Sequence, residues 1–119
     1  MTATERAFEL VRAAAAAAAE KQASDLIAFD VSDQLAITDV FSLCSANSQP
    51  QLQAVKEEIE DALLKLGAKT LRREGERDSR WILMDYGDIV VHIQHTEERA
   101  FYALERLWND CPAIDLKLS

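Results

Sequence analysis

At 119 residues and 49% apolar content, the chain can build one modest hydrophobic core and not two, so a single domain over residues 1–119 is expected. A formal net charge of −8 argues against non-specific binding to nucleic acid or to an anionic membrane, both of which need a basic footprint; it suits a basic partner, or simply solubility. Two cysteines, Cys44 and Cys111, are too few for a disulfide framework, and no stretch approaches the roughly 18 apolar residues of a membrane span.

In chain order, Thr2-Ala3-Thr4-Glu5 has capping-box spacing and predicts a helix running to about Gln22. The alanine tract at 13–19 is flanked by Glu5, Glu9 and Glu20-Lys21. It therefore reads as helix rather than as the apolar part of a signal peptide, and as packing on the chain's own sheet more than as a helix–helix contact. The acidic start also lacks the character of an organellar transit peptide, so the expected location is the bacterial cytosol. Residues 26–31 form a strand, Ser32-Asp33-Gln34 a turn, and residues 35–44 a second strand hairpinned to the first. Ser48 caps a helix whose first turn tolerates Pro50, with Leu52, Val55, Ile59, Ala62, Leu63 and Leu66 as its apolar stripe and Gly67 as its C-terminal cap.

Lys69-Thr70-Leu71 suggests a short strand before the alternating charges of 72–80, where Arg72, Arg73, Arg77 and Arg80 interleave with Glu74, Glu76 and Asp78 as a solvated loop. Near the end, Thr96 caps a last helix with Phe101, Leu104, Leu107 and Trp108 on one face, stopped by Asn109-Asp110-Cys111-Pro112. The alternating tail 114–118 could add an edge strand. The sum is an α/β (α+β) domain, a single-layer mixed sheet with helices mainly on one face.

Between them lies Trp81-Ile82-Leu83-Met84-Asp85-Tyr86-Gly87-Asp88-Ile89-Val90-Val91-His92, a β-hairpin with Tyr86-Gly87 as its two-residue loop. Placing Asp85 opposite Asp88 pairs Met84 with Ile89, Leu83 with Val90, Ile82 with Val91 and Trp81 with His92. One face, Ile82, Met84, Ile89, Val91 and Ile93, is apolar throughout and belongs under helices. The other carries Trp81, Leu83, Asp85, Asp88, Val90 and His92, apolar anchors with charges at the rim, which is the make-up of a binding surface.

Chemistry is harder to place. Asp85 and Asp88 could share a metal or a proton, but the only candidate phosphate cradle, Ser45-Ala46-Asn47-Ser48, has no glycine, and aspartates beside a tight turn commonly accept amide hydrogen bonds. His92 and His95, three apart on a strand, point to opposite faces and make poor zinc ligands. Neither cysteine has a motif that would pair it with a base, and no Walker or dinucleotide fingerprint occurs. Trp81 could equally cover a sheet edge.

Four segments go further: Asp25-Leu26-Ile27-Ala28-Phe29-Asp30-Val31, Ile37-Thr38-Asp39-Val40-Phe41, the hairpin through Ile93, and Phe101-Tyr102-Ala103-Leu104-Glu105-Arg106-Leu107-Trp108. In that order they resemble the Iojap-like family, the ribosomal silencing factors, over about 25–112. The W-x-L-x-D-Y-G-D-x-V-V-H core and the Y-x-L-E-x-L-W segment are the most specific parts. The resemblance implies a nucleotidyltransferase-like fold without a transferase role, hence no enzyme activity, cofactor or metal. It also implies binding to the large ribosomal subunit through ribosomal protein fourteen of that subunit, blocking small-subunit association and lowering translation when nutrients are short. Where family members often carry a glycine after the second strand, this chain has Ala46 in Ser45-Ala46-Asn47-Ser48-Gln49-Pro50-Gln51.

The partner-binding set expected from the two readings together is Trp81, Leu83, Asp85, Tyr86, Asp88, Val90 and His92. Trp81, Leu83 and Val90 are its anchor, Asp85 and Asp88 its rim against a basic protein, and His92 either a buttress for Trp81 or a contact itself. Two alternatives stay open: a magnesium-dependent nucleotidyltransferase-like enzyme, and a self-associating module that forms a homodimer through the same face or the tail.

Overall fold

The structure, a computed structural model, describes residues 2–75 and 78–118, with the side chains of Phe101 and Tyr102 left out of the description. The elements run α1 Glu5–Glu20, β1 Ser24–Asp30, β2 Val40–Ala46, α2 Gln49–Lys65, β3 Arg72–Glu74, β4 Trp81–Asp85, β5 Ile89–His95 and α3 Thr96–Tyr102, followed by a 3-10 helix Leu104–Trp108. The strands form one sheet in the order β1-β2-β5-β4-β3, with β2 and β5 parallel and the other neighbours antiparallel.

The period-two pattern of the strands decides which side the helices cover. Val40, Cys44 and Ala46 of β2, Ile82 and Met84 of β4, and Ile89, Val91 and Ile93 of β5 share one face and are buried. Against them lie Leu10, Val11 and buried alanines of α1, and Leu52, Val55, Ile59 and Leu63 of α2. Truncating one of these, for example Ile93→Ala, removes about 2–5 kcal/mol.

Thr4, not Thr2, caps α1: its Oγ1 accepts from Ala7 N at 3.1 Å. The start of the chain is held extended because Ala3 N donates to Asp30 Oδ2 at 2.8 Å and Thr4 N to Asp39 Oδ2 at 3.0 Å. The alanine tract packs mainly against α2 and less against the sheet, since side chains this short let a second helix approach closely. Ser48 caps α2 as expected, and Gly67, at φ 83°, ends it in a Schellman motif, with Ala68 N donating to Leu63 O and Gly67 N to Leu64 O.

Several boundaries differ from the sequence reading. β2 starts at Val40 rather than 35, because residues 31–39 fold on themselves, with Leu35 N donating to Val31 O, and tie to the β4–β5 turn through Asp39 N and Asp88 O at 3.1 Å. The short strand is Arg72–Glu74, inside the charged segment; it pairs with β4 as a fully exposed edge, where charge discourages pairing with other chains. Glu76 and Arg77 of that segment lie outside the described residues, and Arg80 forms an ion pair with Glu98 at 2.8 Å.

The last helix is two pieces. α3 is capped by the ring of His95, whose Nδ1 accepts from Glu97 N, and Ala103 then turns left-handed before the 3-10 helix begins. The expected stripe from Phe101 to Trp108 is broken there, and the side chain of Phe101 lies outside the description. Among the described residues the tail makes an isolated bridge, Ala113 with Phe29, in place of a strand.

Candidate functional site

The sheet face away from α1 and α2 presents three rows. Pairing registers place Phe41, Val90, Asp85 and Arg72 in the first, Leu43, His92, Leu83 and Glu74 in the second, and Ser45, Gln94 and Trp81 in the third. α3 and the 3-10 helix lie over the β2–β5 part of this face, and what stays open is a groove of about 220 Å³. Its lining brings together Trp81, Leu83, Asp85, Val90 and His92, all five expected from the sequence. Residues the sequence reading had placed elsewhere complete it: Ile37 from the 31–39 loop, Phe41 from β2, Arg72 from β3, and Leu104, Leu107 and Trp108 from the 3-10 segment.

Two of the expected residues stand apart. Tyr86 points through the sheet to the helix-covered side, where it is 7% exposed within the main core and burial pushes its phenol above the ordinary range. Asp88 sits exposed in the turn, outside the groove lining.

The hairpin register explains both. Tyr86 N donates to Ile89 O, the loop is Gly87-Asp88, and the pairs are Met84 with Val91, Leu83 with His92, Ile82 with Ile93 and Trp81 with Gln94. This differs by two from the expected pairing, which leaves every side chain on its expected face. Gly87 supplies the positive φ, 85°, at the first loop position instead of the second, and Asp85 Oδ1 accepts from Gly87 N at 2.8 Å. Burying the Tyr86 ring favours this register, because Tyr86 in the loop would face water.

Rings form the groove floor. Trp81 and His92 centroids lie 5.9 Å apart, His92 and Phe41 5.5 Å edge-on, and Phe41 and Trp108 4.8 Å edge-on, distances at which aromatic pairs attract. The Trp81 indole Nε1–H donates to His92 Nδ1 at 3.0 Å. Burial pushes the His92 pKa down to about 4, so near neutral pH the ring is uncharged and accepts that bond. Ile37 and Leu107 stand at the groove 82% and 68% exposed. Among the described residues no group of three or more His, Cys, Asp or Glu gathers to hold a metal ion, and no helix is long and apolar enough to cross a membrane.

A family model described as "Ribosomal silencing factor during starvation" matches residues 4–119. The chain is 41% identical to a Bacillus subtilis protein named ribosomal silencing factor RsfS over 90% of this chain and 91% of that one. It is 32% identical to the chloroplastic protein Iojap of Zea mays, covering 86% of this chain and 44% of that longer one. A crystal structure from Bacillus halodurans, 36% identical, superposes with a TM-score of 0.78 over 90% of this chain and 97% of the other. One from Chromobacterium violaceum, 24% identical, shares the fold with a TM-score of 0.81 over 93% and 92%.

Proposed function

The chain belongs to the ribosomal silencing factor family, and from that premise we propose that it binds the large ribosomal subunit through ribosomal protein fourteen of that subunit and keeps the small subunit from joining. The observation that carries this reading is the groove itself: an aromatic floor with Ile37 and Leu107 held out to water on the sheet face away from α1 and α2. Apolar side chains grouped and exposed in this way mark a surface that is covered when a partner is present.

Charge supports a basic protein as that partner. With a net −8, the domain is drawn to positive surfaces and repelled by bare ribosomal RNA, so it selects a protein patch on an RNA-rich particle. Asp85 stands at the groove and Asp88 at the adjoining turn, where they meet arginine or lysine. No reaction is needed: a body measuring 37 × 32 × 30 Å on the docking face of the large subunit excludes the small subunit by overlap, and translation falls in proportion to occupancy. The protein then acts in the cytoplasm, where ribosomal subunits associate.

Sedimentation through sucrose gradients tests this with purified large subunits, small subunits and re-associating mixtures. The protein travels with the large subunit alone and lowers the yield of joined ribosomes. If it stays at the top of the gradient at low and moderate salt, the reading is wrong.

A further inference from the structure

Leu104, Leu107 and Trp108 make one wall of the groove, yet the 3-10 helix that carries them has no buried residue and no side-chain cap. It departs from α3 through Ala103 at φ 48° and ψ 50°, a left-handed conformation that residues other than glycine rarely adopt. Apart from Trp108, which packs on the cluster of Phe29, Val31 and Cys111, neither burial nor local geometry holds this wall in place.

A buried guanidinium does. Arg99, on α3, donates from Nη1 to Ser45 Oγ at 3.1 Å and from Nε to Glu105 Oε2 at 3.2 Å. Ser45 is a fully buried residue of β2, and Glu105 belongs to the 3-10 helix. One side chain thus ties the groove wall to an inner strand of the sheet, while Trp108 at the far end rests on Phe41. Arg99 itself does not line the groove.

We propose that Arg99 is a positioning residue for partner recognition, fixing Leu104, Leu107 and Trp108 at the spacing from Trp81 that lets both sides grip one partner surface. This rests on the reading of the groove as the ribosome-binding surface. The residue type matters because guanidinium nitrogens diverge in a rigid fork and reach two acceptors at once. A lysine in its place keeps the charge but has one nitrogen, and cannot hold Ser45 and Glu105 in the same geometry.

The test titrates full-length wild type, Arg99→Lys, Leu107→Ala and the double variant against isolated large subunits. Arg99→Lys is expected to weaken binding about tenfold in the wild-type background and by about threefold or less beside Leu107→Ala, where the wall is already truncated. Glu105→Gln, which keeps an acceptor oxygen, stays within about threefold of wild type. An equal loss in both backgrounds, as a merely structural role would give, or no loss for Arg99→Lys, overturns the proposal. Should Arg99→Lys fold poorly, Glu105→Ala, which leaves the Ser45 bond in place, takes its part in the same cycle.

A partner-free readout runs alongside. The chain has two tryptophans, so in a Trp81→Phe background Trp108 emission reports the wall alone. Emission that shifts with Arg99→Lys and not with Glu105→Gln supports the positioning role, and emission unmoved by Arg99→Lys refutes it. If the wild type fails to bind large subunits, the ribosome reading falls, and this emission arm decides the positioning role by itself.

Discussion

Trp81 and His92 are bonded without being opposite one another. The residue across from His92 is Leu83, and Trp81 faces Gln94, yet the indole Nε1–H reaches diagonally to His92 Nδ1 at 3.0 Å. Because Nδ1 accepts, the proton of the neutral imidazole sits on Nε2, an assignment made from this bond. One of the two tryptophans of the groove is thus aimed by a histidine that is itself only 6% exposed.

Protonating His92 turns its acceptor into a donor and places a charge beside two aromatic rings. Burial lowers its pKa from 6.5 to about 4, so between those values the unfolded chain binds more protons than the folded one, and stability rises with pH. The contribution is complete above about pH 6.5 and is lost as pH falls towards 4, about 3 kcal/mol in all. Denaturant midpoints measured from pH 7 to 4 should decline for the wild type and flatten in His92→Gln. Asp30 acts lower. Burial pushes its carboxyl up, but hydrogen bonds from Ser32 Oγ, Ala3 N and Ser32 N outweigh that and hold it below 3.8, so its share is present above 3.8 and disappears below. Parallel decline in wild type and His92→Gln between pH 6.5 and 4 contradicts the assignment.

Trp81 carries two separable roles. Trp81→Phe keeps an aromatic surface but leaves buried His92 Nδ1 without its donor, which costs about 1 kcal/mol of stability. Trp81→Ala removes the surface as well and should weaken large-subunit binding by about 2–4 kcal/mol, roughly 30- to 1,000-fold. Chemical denaturation and a binding titration on the same two variants separate these effects. Equal affinity for the wild type and a folded Trp81→Ala protein removes the groove as the contact surface.

At the turn, geometry and charge can be told apart in Asp85. Its Oδ1 caps Gly87 N, a bond that Asn keeps and Ala loses. Asp85→Asn is expected to leave stability within about 0.5 kcal/mol while reducing affinity by about 1 kcal/mol or less and weakening its salt dependence. Asp85→Ala also destabilises by about 1 kcal/mol. Gly87→Ala is costlier, roughly 1–3 kcal/mol, because φ is 85° and a Cβ there lies 3.2 Å from Leu71 Cδ1. Thermal denaturation that ranks Asp85→Asn below Gly87→Ala argues against this account of the turn.

Which side of the sheet each hairpin residue takes was readable because parity along a strand survives any even shift in register. Ile82, Met84, Ile89, Val91 and Ile93 lie under α1 and α2, and Trp81, Leu83, Val90 and His92 on the other face, although the pairing differs by two. Turn chemistry was the weak link, since one glycine serves either loop position and the burial of Tyr86 selects between them. β3 was hidden because Arg72-Arg73-Glu74 carries no apolar signal and is held by backbone pairing with β4 and by the Arg73–Glu60 ion pair at 2.9 Å. The break at Ala103 has no glycine or proline to mark it, so one helix was expected where two pieces stand. Ile37, read as strand core, and Arg99, whose partner Ser45 is 54 positions away, depend on tertiary contacts that no local pattern encodes.

Ile37 and Leu107 give the sharpest division between fold and function. Each is a large aliphatic side chain that stays mostly in water in the free protein, so exchanging it for a charged residue gives up little burial, and stability should move by no more than about 0.5 kcal/mol. In a complex the same side chains are desolvated, and an aspartate or glutamate there is buried against apolar atoms or unpaired. Ile37→Asp and Leu107→Glu should therefore leave the denaturant midpoint in place and each reduce affinity for the large subunit by at least tenfold. A basic partner complicates the second figure, since a new carboxylate could find a lysine; Ile37→Lys and Leu107→Lys close that route by adding repulsion instead. If all four proteins keep wild-type stability and wild-type affinity, these side chains are exposed for some other reason and the partner docks elsewhere.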